Sequence, residues 1–374
     1  MKIMLLVSSM HAGGAERVAA TLANAWALRG DSVTLVPTFT HKGTCFYPLS
    51  DDVELVWLAD SLGGAGACAG LRKLRALRRL VRARRPGVII SFLTNVNVMT
   101  LLATVGMKIP VIACERTNPA ASVNVGRLLG WLRRVTYPWA SMVTVQAQGS
   151  VAALRGMVPR IRALGVIANP LPPELPDRAL ASRLRDARGR CRLVAMGRLV
   201  PAKRFDDLVR AFAGLAGDFP DWDLVVWGEG PEREALTSQV RQEGLEDRVF
   251  LPGRTARPWD ELAAAHAFAL VSSVEGFPNV LLEAMALGLP CLARDCPSGP
   301  REMTRDGQDA LLIPPAGQDA LALGLRRLLG DEALRDSLAR RAAASVRQRY
   351  GLPSVLSSWD ELMAQAGVAH GKAS

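Results

Sequence analysis

The sequence has few of the residues that build metal centres and disulfide frameworks. Its 374 residues include four histidines and six cysteines. The cysteines form no C-x-x-C pair and no histidine cluster accompanies them, so a zinc site or a disulfide framework is not expected. We predict reduced, mostly buried thiols. The cysteines lie at positions 45, 68, 114, 191, 291 and 296.

Long apolar runs are also missing, because no stretch has the length that a membrane-spanning helix needs. The first nine residues contain one Lys and a short apolar run, but no small-residue cleavage site follows. We therefore interpret them as a buried first strand and not as a signal peptide. The sequence predicts a protein that stays in the cytoplasm.

Positive charge is abundant, with 46 Lys and Arg against 35 Asp and Glu, or +11. This excess indicates a polyanionic partner such as phosphates, nucleic acid or an acidic membrane surface. It is dense between Arg72 and Arg85, where leucines at helical spacing predict an amphipathic helix. We expect its cationic face to dock on an anionic bilayer, although a solvated face is the alternative. Trp131, Arg133, Arg134, Tyr137 and Trp139 elsewhere in the same domain favour docking. The predicted membrane-facing residues are Arg72, Lys73, Arg75, Arg78, Arg79 and Arg82.

The chain exceeds the size at which one hydrophobic core stops growing, so we expect two domains. Continuous apolar runs alternate with amphipathic helices, and the pattern restarts after a proline-rich stretch at 166–176. This alternation predicts an α/β protein with two doubly wound, Rossmann-like domains facing a cleft. The predicted bounds are 1–168 and 169–351, with a last helix at about 352–366 that packs back onto the first domain.

Two loops carry features that suit phosphate binding. After the first strand, HAGGAER leads straight into a helix, and Gly14 would let the backbone approach a ligand at the helix N-terminus. An ordinary strand-to-helix turn is the alternative. In the second domain, GRLVPAKRF places Arg198 and Lys203 just beyond a strand. Together they would clamp a diphosphate, unless they are simply solvated surface charges.

The segment VEGFPNVLLEAMA holds the most specific pattern, two carboxylates eight residues apart. Glu275 lies in a Gly/Pro loop and Glu283 in the helix that follows. Glu283 sits in an apolar run, where burial would be costly without partners, and ribose hydroxyls would suit it. An exposed helix residue is the alternative. The loop residues whose backbone precedes the helix and shapes a binding turn are Gly276, Phe277, Pro278 and Asn279.

Residues 275–283 resemble the E-x7-E signature of retaining glycosyltransferases of the GT-B fold, family 4. GGAER, GRLVPAKRFDDLVRAF, VVWGEGPER and EGFPNVLLEAMALGLP occur in the order and spacing of that family, over essentially the whole chain. FLTNVN together with ERTNP is similar to the branch that builds bacterial surface glycans. That branch adds hexoses or N-acetylhexosamines to lipopolysaccharide or polyprenyl-diphosphate-linked saccharides.

The resemblance implies a role for each matching residue. Gly14 would approach the diphosphate of a nucleotide sugar, and Arg198 and Lys203 would neutralise it. Glu275 would contact the donor sugar, with the N–H groups of Gly276, Phe277 and Asn279, and Glu283 would hold the ribose. Many members have an acceptor-side His where this chain has Glu115 and Arg116, which we treat as candidates only.

The resemblance further implies front-face transfer with retention and without a metal or other cofactor. It favours a UDP-linked donor, a lipid-linked or lipopolysaccharide-type acceptor, and a peripheral position on the inner face of the cytoplasmic membrane. No nucleic-acid partner is expected.

Rival interpretations stay open. The first is a basic nucleic-acid-binding protein, against which stand the few aromatics, 5% of residues, and the lack of a known motif. The second is an NAD-dependent oxidoreductase, since GEGP at 228–231 resembles the start of a dinucleotide fingerprint. That stretch lacks the third glycine, so we expect a turn that serves the fold. An epimerase or a phosphorylase on the same fold is a third possibility, because a fold does not fix a function.

Overall fold

The computed structural model describes residues 1–41, 43, 45–61, 69–117, 126–176, 189–315 and 317–368. The chain divides into two compact units, one of Met1–Pro172 with Leu352–Ser374 and the other of Pro173–Gly351. Each unit is built on its own parallel sheet with helices on both faces. The prediction of an α/β protein with two Rossmann-like domains is confirmed.

The first unit holds a seven-stranded parallel sheet in the order β3-β2-β1-β4-β5-β6-β7. Its strands are β1 (Lys2–Val7), β2 (Ser32–Pro37), β3 (Val53–Leu55), β4 (Val88–Phe92), β5 (Val111–Cys114), β6 (Met142–Val145) and β7 (Leu164–Val166). Its helices are α1 (Gly14–Leu28), α2 (Ala69–Arg84), α3 (Thr94–Ala103), α4 (Arg127–Thr136), α5 (Val151–Met157) and α13 (Leu352–Gln365).

Alternate residues of β1 face opposite sides of this sheet, as the twofold period of a strand requires. Leu5 packs with α1 and α13 on one side, and Leu6 packs with α2, α3, α4 and α5 on the other. Trp359 of α13 is fully buried against Trp26 of α1, with ring centroids 5.6 Å apart in an edge-to-face arrangement. The C-terminal helix therefore completes the core of the first unit.

The second unit holds a six-stranded parallel sheet in the order β10-β9-β8-β11-β12-β13. Its strands are β8 (Cys191–Met196), β9 (Trp222–Trp227), β10 (Val249–Gly253), β11 (Ala267–Leu270), β12 (Cys291–Arg294) and β13 (Leu311–Ile313). Its helices are α6 (Phe205–Ala213), α7 (Arg233–Gln242), α8 (Pro258–Ala263), α9 (Asn279–Ala286), α10 (Pro300–Met303), α11 (Gln318–Gly330) and α12 (Glu332–Tyr350).

The cysteines agree with a further prediction. Cys114, Cys191, Cys291 and Cys296 are buried free thiols and Cys45 is half-buried, whereas Cys68 lies outside the described residues. Within the described ranges, no helix combines the length and the apolar composition that crossing a bilayer would need.

Candidate functional site

The loops that follow β8 and β11 meet at the point where the strand order of the second sheet reverses. From β8 the chain continues to β9 on one side, and β11 pairs with β8 on the other. Ligands of open α/β sheets bind in the crevice that such a reversal leaves at the carboxyl ends of the strands. The sequence places Arg198 and Lys203 in the first loop and Glu275 in the second.

Lys203 and Glu275 join the two loops. The Nζ of Lys203 lies 2.5 Å from Oε1 of Glu275, and both side chains are largely buried. The N–H of Ser273 also donates to the carbonyl of Ala202, at 2.9 Å. Arg198 is exposed on the same loop, and its guanidinium makes no hydrogen bond or ion pair with the rest of the described chain. One cation is thus paired with a carboxylate, and a second is free to receive an anion.

An ionic cluster stabilises the loop that follows β8. Arg204 has a left-handed backbone, with φ of 53°, and its guanidinium donates to both oxygens of Asp207 at 2.9 and 3.0 Å. The buried Arg294 donates to Asp207 at 3.0 Å. Burial opposes ionisation of this carboxyl, but the two arginines outweigh it and lower the pKa of Asp207.

The GEGP stretch after β9 packs against the backbone of the same loop. A Cβ on Gly228, whose φ is 147°, would lie 1.8 Å from the carbonyl oxygen of Gly197. One on Gly230 would lie 2.3 Å from the carbonyl oxygen of Leu199. These glycines permit close contact between two loops, which agrees with our expectation of a turn that serves the fold.

The loop before α9 differs from our prediction at Asn279. Pro278 has φ of −78° and ψ of 81°, the conformation of an inverse γ-turn, and the N–H of Asn279 donates to the carbonyl of Phe277 at 2.9 Å. The N–H of Asn279 is therefore occupied, which corrects its predicted role as a donor to substrate. The N–H groups of Gly276 and Phe277 have no such partner within the described residues.

A third loop, after β12, supports this turn. The hydroxyl of Ser298 donates to the carbonyl of Gly276 at 3.0 Å, and Gly299, with φ of 98°, leaves room for the ring of Pro278. Phe277 packs edge-to-face on Tyr350 of α12, at 5.8 Å between centroids. Burial, helped by the nearby Glu275, raises the pKa of the Cys296 thiol to about 12, so this thiol stays protonated.

Glu283 is buried in α9, with 3% of its surface exposed. The indole Nε1 of Trp259 in α8 donates to its Oε2 at 3.0 Å. The alternative of an exposed helix residue is therefore excluded, and a carboxylate is fixed in the interior next to an aromatic ring. The sequence did not predict the contact of Trp259 with Glu283, because no short-range sequence pattern relates a residue of α8 to one of α9.

The glycine loop of the first unit begins α1, as predicted. Gly14 is the first residue of the helix, and the hydroxyl of Tyr47 bonds both the N–H and the carbonyl of Gly13. The carboxylate of Glu16 lies at the same turn and accepts from Ser9 at 2.9 Å. This carboxylate already offers negative charge to the helix N-terminus.

Glu115 lies in the interior and not at an open acceptor site, which corrects that candidate. It is 2% exposed and accepts hydrogen bonds from Thr94 and from Tyr137, at 2.9 and 2.5 Å. Burial raises the pKa of Glu115 against the effect of these donors and of Arg133, 3.8 Å away. The carboxyl group of Glu115 is the centre of a buried polar cluster at the C-terminal end of β5.

Arg116 is buried as well but remains a candidate. Its guanidinium stacks on Phe92 at 3.6 Å and donates to Asn169 at 2.6 Å. Burial lowers its pKa to about 10. Its Nε and Nη2 have no partner within the described residues. The segment 118–125 that follows lies outside the described residues.

The cationic face of α2 is narrower than predicted. Arg75, Arg79 and Arg82 are exposed. Arg78 instead donates from Nη1 to the carbonyls of Ala103 and Val105, both at 2.8 Å, and so caps the end of α3. The other two residues of the predicted face, Arg72 and Lys73, are half-buried, and the Nζ of Lys73 lies over the ring of Phe39.

Two family models match the chain. The model described as "Glycosyl transferase 4-like domain" matches residues 13–170, and the model described as "Glycosyl transferases group 1" matches residues 184–345. The two matches fall on the first and the second unit respectively.

Curated relatives and solved structures extend the comparison. An exopolysaccharide phosphotransferase of Streptomyces coelicolor is 38% identical over 174 residues, 46% of this chain and only 18% of that protein. A Campylobacter jejuni α-1,4-N-acetyl-D-galactosaminyltransferase, whose name gives a diphospho-undecaprenol-linked saccharide as substrate, is 27% identical over 98% of this chain and 99% of its own. HepE of Anabaena, solved with UDP, matches with a TM-score of 0.79 at 20% identity, over 97% and 100% of the two chains. The shared fold is GT-B.

Proposed function

The chain belongs to the glycosyltransferases that join a 4-like domain to a group 1 domain, and we propose that it transfers a hexose or N-acetylhexosamine from a UDP-linked donor with retention of configuration and without a metal. The proposed acceptor is a lipid-linked or lipopolysaccharide-type saccharide. The relative from Campylobacter jejuni, similar over nearly its whole length, supports this acceptor class. The UDP complex of HepE supports the base of the donor.

The pair of Lys203 and Glu275 beside the exposed Arg198 carries the proposal. During transfer the bond between the anomeric carbon and the β-phosphate oxygen breaks, and the acceptor oxygen bonds the same face of that carbon. The acceptor proton passes to the departing phosphate oxygen. Lys203 and Arg198 offset the charge that develops on the diphosphate, as fixed cations near a leaving group do. Glu275 contacts the donor sugar and Glu283 the ribose.

A lipid-linked acceptor places the reaction at a membrane surface. We propose the inner face of the cytoplasmic membrane, where nucleotide sugars are available. The exposed arginines of α2 support this location, because anionic lipids attract such residues.

The test combines binding with product analysis. Calorimetry in EDTA against UDP, GDP, ADP and NADH should show tight binding of UDP alone. Transfer from UDP-N-acetylgalactosamine or UDP-N-acetylglucosamine to an undecaprenyl-diphosphate oligosaccharide should then proceed in EDTA and give an α-linked product by NMR. A β-linked product would refute retention, and activity lost in EDTA but restored by a divalent cation would refute metal independence. Binding of NADH alone would refute the choice of donor.

A further inference from the structure

The positive charge of the protein is concentrated in one segment of the chain. Residues 61–173 contain sixteen Lys and Arg and one acidic residue, Glu115, which is buried. The excess within this segment is larger than the +11 of the whole chain. Helices α2, α3, α4 and α5 all come from it and pack on the same side of the first sheet. One layer of the first unit is therefore strongly cationic.

Helix α4 in this layer turns apolar side chains to the outside. At 100° per residue, its exposed positions fall within one arc of about 120°. Leu128 is 70% exposed and Trp131 is 60% exposed, while Arg133 and Thr136 on the other side are buried. The exposed positions of α4 are Arg127, Leu128, Trp131, Arg134 and Val135.

The apolar arc continues beyond the helix. Trp139 ends the short 3-10 turn after α4 and is 47% exposed, although its neighbours Tyr137 and Ala140 are buried. We call Leu128, Trp131, Val135 and Trp139 the α4 face. Large exposed apolar patches mark interaction sites, and tryptophan in particular is enriched where a bilayer meets water.

The charges around the α4 face indicate that its binding partner is anionic. Arg127 and Arg134 border it on the helix itself, and no acidic residue occurs in α2, α3, α4 or α5. Helix α3 contacts both α2 and α4, so the exposed arginines of α2 belong to the same layer. An apolar strip with tryptophans and a surround of arginines is the pattern of helices that lie in the plane of an anionic bilayer.

We propose that the α4 face inserts into the interface of an anionic lipid bilayer, while the exposed arginines of α2 supply long-range attraction. The membrane location rests on the proposed function, but docking itself needs neither donor nor acceptor. From the sequence, the membrane-facing residues were predicted on α2, with Trp131, Arg133, Arg134, Tyr137 and Trp139 in support. The structure buries Arg133 and Tyr137, which corrects their part in that prediction, and it exposes Trp131 and Trp139 on the α4 face.

The test is flotation of the full-length protein with vesicles of phosphatidylcholine plus phosphatidylglycerol, and with vesicles of phosphatidylcholine alone. The wild type should bind the anionic vesicles and be released by salt. Leu128→Ser/Trp131→Ser should reduce binding at least about tenfold, since two apolar side chains lose their burial. Arg75→Gln/Arg79→Gln/Arg82→Gln should reduce it roughly a hundredfold, at about one kcal/mol for each cation.

Matched controls separate insertion from general surface effects. Leu28→Ser changes an even more exposed leucine, 89% exposed, on the opposite layer, and should leave binding unchanged. Arg78→Gln removes a cation of α2 that is engaged in capping α3. Its free energy of unfolding should fall by more than its free energy of binding to vesicles.

Three results would overturn the proposal. They are a wild type that never binds anionic vesicles, a Leu128→Ser/Trp131→Ser variant that binds as well as the wild type, and a concentration-dependent dimer that this variant abolishes. Transfer to a water-soluble acceptor separates the two proposals, because the Leu128→Ser/Trp131→Ser variant should keep that activity. Loss of all transfer in the wild type would instead count against the proposed function.

Discussion

Lys203 and Glu275, 72 residues apart in the sequence, meet with Nζ 2.5 Å from Oε1 across the loops that follow β8 and β11. Each charge is partly withdrawn from water, and each makes the burial of the other less costly. A diphosphate that approaches Lys203 would compete with Glu275 for its protons. The carboxylate would then be free to turn to the donor sugar, and the pair would couple phosphate binding to sugar binding.

This coupling predicts opposite effects on binding for the two partners. Lys203→Ala should weaken UDP binding by about 2 kcal/mol, the scale of a lost charge-assisted hydrogen bond. Glu275→Gln should leave UDP affinity unchanged or tighter, because it releases the lysine, and should slow transfer about a hundredfold. Calorimetry and initial rates measure the two effects. Lys108→Ala, which changes an exposed lysine of the first unit, serves as the control. Equal losses of affinity in both variants would contradict the coupling.

The proposed contact between Glu283 and ribose is tested by changing protein and ligand together. The wild type should prefer UDP over 2′-deoxy-UDP by about tenfold, the value of one hydrogen bond to a charged group. Glu283→Ala should abolish this preference, and Trp259→Phe should reduce it, since the indole positions Oε2. If Glu283→Ala lowers the affinity for both nucleotides equally, the carboxylate supports the loop and does not contact the ribose.

Gly228 offers a test of the contact between loops. Gly228→Ala should destabilise the protein by about 3 kcal/mol, because its Cβ would collide with the carbonyl of Gly197, and UDP affinity should fall with it. Gly244→Ala is the matched control. Gly244 also has a left-handed backbone, with φ of 66°, but no atom lies near its added Cβ, so a cost of about 1–2 kcal/mol is expected. Equal costs in chemical denaturation would show that backbone conformation alone is responsible.

The Asp207 cluster makes stability depend on pH in a defined direction. The pKa of Asp207 is lowered in the folded protein, so its contribution is complete above the unfolded value of about 4 and is lost as pH falls through the folded pKa. Asp207→Asn should cost about 3 kcal/mol at neutral pH, because it leaves the buried Arg294 unpaired.

Denaturation curves at a series of pH values measure this effect. The gap between Asp207→Asn and the wild type should close in acid, where the wild-type carboxyl is also protonated. Asp306→Asn changes an exposed ion pair with Arg301 and should have almost no effect at any pH. A gap that persists unchanged in acid would contradict the role assigned to ionised Asp207.

The sequence allowed the prediction of features that depend on neighbours along the chain. The alternation of apolar runs and helices predicts both sheets, and the apolar surroundings of Glu283 predict that it is buried. Glycine and proline before α9 predict a tight turn. In each case the physical signal lies within a few residues of the feature, so no knowledge of distant contacts is needed.

Features that depend on distant contacts were not accessible in this way. A helical pattern places Arg78 on the cationic face of α2, but only the packing of α3 beside it turns that arginine into a cap. Trp131 has a side chain that is usually buried, but it lies on the side of α4 opposite the buried Arg133 and Thr136 and is 60% exposed. Glu115 resembled an acceptor contact by position, whereas Tyr137 and Thr94 fold over it and enclose it.

The burial of Trp359 against Trp26 has a consequence for biosynthesis. Translation delivers the first 172 residues long before α13, yet that helix supplies part of their core. While the second unit is being synthesised, Trp26 of α1 lacks its edge-to-face contact with Trp359. The second unit therefore has all its residues first, and the N-terminal unit becomes complete only after it.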